Sequence, residues 1–303
     1  MTRQDVYVPP WQRYLFSTTA PMFAVVLTNP FDTCKVRLQL QGQNAEKVYS
    51  NTADAFVKIF KAEGITGLQK GLTPAFLREG SKNFFRIGFY DPLISIVHKD
   101  NTPAPIYKRL AVGMVTGGLG ALSCNPFELV KTRMQASANK SIAVGHQHTY
   151  NGVFPAIRDI TKKEGFLGLY KGSGMSFVRS MIASGLNLSI YTSCRDYLLK
   201  NNITKNNSFT DASCSLFSSF FSCLCTNPID VVRTRIYNQK MSAGGMQYKN
   251  GIDAATKIIQ HEGVRALGKG FLTSWIRMGP HFTLTFVFYE QMKRISASFG
   301  LNK

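Results

Sequence analysis

One pattern occurs three times in this chain, and it constrains the fold more than any other feature. "TNPFDTCKVRLQ" carries Pro30, Asp32, Lys35 and Arg37. "CNPFELVKTRMQ" carries Pro126, Glu128, Lys131 and Arg133, and "TNPIDVVRTRIY" carries Pro228, Asp230, Arg233 and Arg235. Each time an apolar stretch that reads as a helix meets a proline, then an acid, then two bases. A single such proline has an ordinary meaning, the end of a helix at the surface. Three of them, 96 and 102 residues apart, describe an internal repeat, and a repeat redefines the whole fold.

Two further markers keep the same period. "EGITGLQKG" starts at Glu63, "EGFLGLYKG" at Glu164 and "EGVRALGKG" at Glu262. Eight residues beyond the lysine of each "KG" stands an arginine, Arg78, Arg179 and Arg277, in the contexts "FLR", "FVR" and "WIR". The chain therefore reads as one domain of three units, approximately 1–100, 101–203 and 204–303, with linkers at 100–105 and 200–208.

Thirty-six Lys and Arg against 17 Asp and Glu give a net charge of +19, which suits nucleic acid or an anionic membrane. Only 17% of residues are charged, 44% are apolar and 22 are Phe, and no lysine–arginine run marks a nucleic-acid contact. No uninterrupted apolar segment long enough to span a bilayer stands out, and the mean hydropathy is −0.07. Those values fit membrane helices around a polar cavity. Odd helices are predicted over 11–40, 106–136 and 208–239, and even helices over 72–98, 173–199 and 271–297. Helices of about 27–30 residues reach 40–45 Å, enough to cross a bilayer with its headgroups. Small residues four apart (Gly113 and Gly117, Ser215 and Ser219, more weakly Ser17 and Pro21) suggest close packing in lipid. The segments between paired helices hold 14 Lys and Arg against 7 Asp and Glu, which puts them on one common side, and each contains a short amphipathic helix.

No cleavable signal or Arg-rich transit segment is expected at the N-terminus. Six cysteines, at 34, 124, 194, 214, 223 and 225, have no metal-ligand or CxxC spacing and read as packing residues, so neither metal nor cofactor is expected. Cys34 and Cys124 lie near charges but lack a placed histidine, which argues against an enzyme.

Threefold placement brings Asp32, Glu128, Asp230, Lys35, Lys131 and Arg233 into one ring. Charges at membrane depth need partners, so the predicted pairs are Asp32 with Lys131, Glu128 with Arg233 and Asp230 with Lys35. Such pairs form a gate, which Gln39 and Gln135, nine residues after proline, are expected to brace; Tyr237 breaks that pattern.

At this point the chain resembles the mitochondrial carrier family, solute carrier family 25, over essentially its whole length. Its motif Pro-x-[Asp/Glu]-x-x-[Lys/Arg]-x-[Lys/Arg] is present three times. The resemblance implies an all-α membrane protein with six transmembrane helices in three pseudo-symmetric repeats around a central cavity, in the mitochondrial inner membrane. It implies alternating access, a matrix gate at the prolines, and termini in the intermembrane space. A second, cytoplasmic gate follows the pattern [Phe/Tyr]-[Asp/Glu]-x-x-[Lys/Arg]. Here it survives as Tyr289, Glu290 and Lys293, as Tyr90 and Asp91 with Ile94 in place of the base, and as Tyr191 and Arg195 with Thr192 in place of the acid. Asp91–Lys293 and Glu290–Arg195 are then the remaining bridges. Cardiolipin sites are implied where Lys70-Gly71, Lys171-Gly172 and Lys269-Gly270 begin the even helices and face the starts of the short matrix helices. A monomer is expected.

Arg78, Arg179 and Arg277 fall where even helices line the family's cavity. Three guanidinium groups at membrane depth favour an anionic ligand. Lys82 and Arg86 share the Arg78 face, and Glu79, Asn187 and His281 are candidates to discriminate between substrates or, for Glu79 and His281, to exchange a proton. Within the family the likeness is to the oxaloacetate/sulfate type, in stretches such as "RLQLQGQ", "RIGFY" and "RIYNQ", with dicarboxylate-carrier features in Arg78 and Arg86. The oxaloacetate type has Tyr-Gln where this chain has Arg78-Glu79. A transporter of small divalent anions is expected, by exchange or with a proton. An uncoupling-type proton carrier of the same fold is the alternative.

Overall fold

A computed structural model describes residues 9–42, 48–99, 104–201, 208–239, 241–242 and 245–298. The linkers expected at 100–105 and 200–208 lie largely outside them. The chain is almost entirely helical. Long helices α1 (Pro10–Leu40), α5 (Ile106–Ala136), α7 (Ser173–Lys200), α8 (Ser208–Asn238) and α10 (Phe271–Ser298) match the predicted spans within two residues. The second span is split into α3 (Leu72–Gly88) and α4 (Tyr90–Val97). Pro92 explains the break at Phe89: it has no N–H to give the Gly88 carbonyl, and its ring crowds that carbonyl. Short helices α2 (Thr52–Leu68), α6 (Val153–Glu164) and α9 (Gly251–Glu262) occupy the inter-helix segments. A two-residue antiparallel pairing of Met241–Ser242 with Gly245–Met246 is the strand content among the described residues.

The six spans close a ring: α1 packs on α3 and α10, α5 on α3 and α7, and α8 on α7 and α10. Among the described residues, α5 alone is long and apolar enough by composition to cross a membrane. Pro30, Pro126 and Pro228 lie inside their helices rather than at helix ends, each costing the ladder one hydrogen bond. Beyond each proline the odd helix packs on its short helix. Three matching apolar clusters result, around Leu40, Tyr49 and Ile59, around Leu129, Val153 and Ile160, and around Ile236, Tyr248 and Ile258. Elsewhere large apolar side chains such as Leu27, Phe217 and Phe286 stand exposed on the long helices, as a lipid-facing surface requires.

The small-residue pairs are only partly contact points. Gly117 lies where a Cβ would sit 3.2 Å from Ser180 Oγ, but Gly113 faces open space in the central cavity. The tightest approach between α3 and α5 is instead at Gly120, where a Cβ would stand 2.8 Å from the Lys82 carbonyl.

Candidate functional site

At the proline end three ion pairs join the repeats in a cycle. Lys131 Nζ lies 2.5 Å from Asp32 Oδ2, Arg233 3.1 Å from Glu128 and Lys35 2.8 Å from Asp230. All six side chains are buried or nearly so. The acid two residues after proline and the base three further on put both on the inner face of one helix turn, so each repeat offers an acid to one neighbour and a base to the other. Gln39 and Gln135 do not touch these pairs. One turn beyond the lysine, they bond a lower layer: Gln135 Nε2 donates to Asn29 Oδ1 at 3.0 Å, and Gln39 Oε1 accepts from Thr234 at 2.8 Å. Tyr237, which replaces the glutamine, makes the equivalent contact: its hydroxyl donates to Asn125 Oδ1 at 2.6 Å just as Gln135 donates to Asn29.

Sequence reasoning did not assign the second base of each motif. Arg37, Arg133 and Arg235 are almost fully buried and pair with Glu63, Glu164 and Glu262 of the "EG" marker, which also hold Lys70, Lys171 and Lys269 of the "KG". Burial pushes these glutamates up, but hydrogen bonds from the arginine and lysine outweigh it and leave each below its ordinary value. Each arginine Nε also donates to a carbonyl of the next repeat: Arg37 to Gln135, Arg133 to Tyr237 and Arg235 to Gln39. The recurrence of both markers in every repeat was the signal for these pairs. The asparagine before each proline was another signal. Asn29, Asn125 and Asn227 donate to the carbonyls of Leu68, Leu169 and Leu267 and fix the turn that starts each even helix. Gly71, Gly172 and Gly270 cap those helices at φ of 72–74°, a left-handed conformation that glycine adopts freely. A Cβ on Gly172 would come within 2.7 Å of Tyr237.

Above the ion-pair ring lies a cavity of about 1110 Å³ lined by Arg78, Glu79, Lys82, Arg86, Asn187 and His281 among others. The three symmetric arginines are not free cations. Arg179 Nε lies 2.7 Å from Asp230 and Arg277 Nε 2.9 Å from Asp32, while Arg78 sits 3.8 Å from Glu128 and pairs more closely with Glu79. Each ring acid thus meets the ring base of another repeat and one cavity arginine, and Asp230 also lies 3.3 Å from Arg233 of its own helix. Around the ring six bases face the three ring acids and Glu79. Asn187 Oδ1 accepts from Ser218 at 2.5 Å, and His281 Nδ1 lies 3.3 Å from Thr28 Oγ1. Arg86 and Tyr90 line the cavity nearer its mouth.

At the mouth neither expected bridge is formed. Arg195 pairs with Asp211 at 2.9 Å, and Tyr191 donates to the same carboxylate at 3.1 Å. Lys293 pairs with Glu290 of its own helix at 3.2 Å and lies over the Tyr289 ring. Asp91 lines the cavity wall, and Thr192 turns back to its own helix at Ser189. These groups take partners on their own or an adjacent helix instead of one across the opening.

The sequence profile of the mitochondrial carrier protein family matches residues 7–101, 102–202 and 204–299. The chain belongs to the mitochondrial carrier family. This carrier is 37% identical to the mitochondrial oxaloacetate transport protein of Saccharomyces cerevisiae, over 91% of the chain and 87% of the relative. It is 37% identical to the mitochondrial substrate carrier family protein ucpA of Dictyostelium discoideum, over 93% and 92%. With the human mitochondrial 2-oxoglutarate/malate carrier protein it shares 33% identity over 93% and 90%. Family members are transporters, and these relatives are mitochondrial.

Proposed function

We propose that this carrier moves small divalent anions of the oxaloacetate, malate, malonate or sulfate type across the mitochondrial inner membrane by alternating access, as a monomer. The observation that carries this reading is the cation excess at the cavity floor, six bases against the three ring acids and Glu79, with Lys82 and Arg86 adding further positive charge along the wall. A dianion seated there draws the arginines away from Asp32, Glu128 and Asp230. Guanidinium grips carboxylate or sulfate with two donors, so the exchange of one anionic partner for another is nearly balanced. Loosening those contacts weakens the closed end and lets it part, while the groups at the mouth become free to meet. The ring of Asp32, Lys35, Glu128, Lys131, Asp230 and Arg233 is the matrix gate on this reading, and Asp91, Arg195, Glu290 and Lys293 with Tyr90, Tyr191 and Tyr289 belong to the cytoplasmic one. The starts of the even helices at Gly71, Gly172 and Gly270 are the cardiolipin sites.

Uptake into proteoliposomes tests it. Labelled malate, oxaloacetate or sulfate should enter vesicles loaded with a counter-anion or in a proton gradient, and Arg78→Ala, Arg179→Ala and Arg277→Ala should each depress uptake severely. Arg→Lys should cost less than Arg→Ala yet not be silent. A second reading rests on the likeness to ucpA: an uncoupling-type carrier. Proton flux stimulated by fatty acid, with no anion uptake, would replace the first reading with the second.

A further inference from the structure

The residue after each cavity arginine differs among the repeats: Glu79, Ser180 and Met278. Only the first repeat supplies its arginine with a carboxylate from its own helix. Arg78 NH2 donates to Glu79 Oε1, and Arg78 is the arginine that stands farthest from its ring acid, 3.8 Å from Glu128 against 2.7 and 2.9 Å for the other two. Glu79 is 3% exposed. Its second oxygen lies 3.4 Å from Asn83 Nδ2 and 3.9 Å from Lys82 Nζ, one turn along α3. Arg78 Nε is buried without a hydrogen-bond partner.

We infer that Glu79 is a tethered stand-in for one substrate carboxylate: it occupies Arg78 in the empty cavity and moves onto Lys82 when a dicarboxylate takes its place. The inference deepens the proposed anion transport and rests on it. Three features make the move inexpensive. Lys82 is already within ion-pair reach, Asn83 holds the oxygen that faces it, and the carboxylate never loses a cationic partner. Glu79 therefore acts as a positioning residue through Arg78. Arg179 and Arg277 have no carboxylate from their own helix, so an anion that needs only those two contends with the ring acids Asp230 and Asp32 but not with Glu79. A four-carbon dicarboxylate that reaches Arg78 as well must displace Glu79 too. The device sets how strongly the carrier prefers a compact dianion over an extended one.

Initial uptake rates of malate and sulfate into proteoliposomes test this, with Glu79→Gln, Lys82→Met and the double variant. Glu79→Gln removes the competitor and keeps the shape, so the malate KM should fall about tenfold, the equivalent of one charge-assisted hydrogen bond, while the sulfate KM moves less than about twofold. Lys82→Met takes away the alternative partner, so it should raise the malate KM by a larger factor with Glu79 present than in the Glu79→Gln background. A melting temperature close to wild type in detergent separates these effects from misfolding, and Glu79→Asp should restore a wild-type malate-to-sulfate ratio. A Glu79→Gln carrier whose malate KM rises, stays put, or shifts in step with that of sulfate overturns the inference while leaving anion transport intact. If the wild type takes up neither anion, the proposed function and this inference fall together.

Discussion

At the closed end Arg133 is almost fully buried, 2.7 Å from Glu164 and 2.9 Å from the Tyr237 carbonyl, and Arg37 and Arg235 repeat the arrangement. At the mouth Arg195 keeps 30% of its side chain in solvent beside an Asp211 that is 44% exposed, and neither of the other two repeats copies that pair. The same two residue types meet at nearly the same distance in both places. What differs is burial and repetition. A buried contact made three times holds the ring together; an exposed contact made once can be exchanged at little cost, and that freedom suits an end that must open and close.

The comparison breaks most plainly at its strong side. Arg133→Met leaves Glu164 buried beside Lys171 alone and removes a link between repeats, so it should cost about 3–5 kcal/mol and lower the melting temperature in detergent far more than Arg195→Met, which should cost under about 1 kcal/mol. Equal losses would mean that burial does not separate the two ends.

The next effect is on transport. Asp32→Lys or Lys131→Asp alone sets like charges together at the ring and should slow malate uptake by more than about tenfold. The double swap restores opposite charges across that pair. It still sets two cations together where Asp32 now meets Arg277, 2.9 Å away, so it should recover only part of the rate. Full recovery would show that Arg277 leaves Asp32 during the cycle.

How much of this was legible in the sequence follows the same division. The three prolines with their acids and bases fixed the number of repeats, the helix spans within two residues and the partners in the ring, because symmetry and charge pairing leave few other arrangements. The second bases and the "EG" acids recurred just as regularly, but their pairing runs through the short helices, whose orientation no periodicity gives. Above the ring the register is lost. Four residues beyond the three arginines stand Lys82, Ala183 and His281, and eight beyond stand Arg86, Asn187 and Thr285. These layers share no chemistry, so symmetry could not assign partners. At the mouth the structure holds other pairs than the expected ones, Arg195 with Asp211 and Lys293 with Glu290, because spacing along a helix does not give the distance between helix ends.

A smaller effect sharpens the contrast inside the cavity. Asp32 keeps Lys131 when Arg277 is removed, but the buried Glu79 keeps only Lys82, 3.9 Å away, when Arg78 is removed, so Arg78→Ala should lower thermal stability more than Arg277→Ala, by on the order of 1 kcal/mol or a few degrees. Reversed order would mean that Glu79 does not depend on Arg78.

The smallest expected effect concerns pH at the closed end. His148 stacks on Tyr150, which accepts from Arg133. Burial first, then Arg133 and His146, hold His148 down to about 4 from an ordinary value near 6.5. The unfolded chain therefore binds the extra proton first. The contribution is whole above pH 6.5 and fades as pH falls toward 4, worth under about 1 kcal/mol for a partly exposed ring. Melting temperature against pH should be flatter in that window for His148→Gln, and unchanged near neutrality.

The arginine links run from the first repeat to the second, from the second to the third, and from Arg235 back to the Gln39 carbonyl of the first. Near the chain ends, Ser296 of α10 donates to Gln12 of α1 at 2.9 Å. The architecture thus has no terminal unit: no repeat is a cap, and none carries a free interface that folding leaves uncovered. A chain opened between α4 and α5 and joined from α10 to α1 would present the same three seams. The three arginine links close a cycle, whatever the order in which the polypeptide visits the repeats.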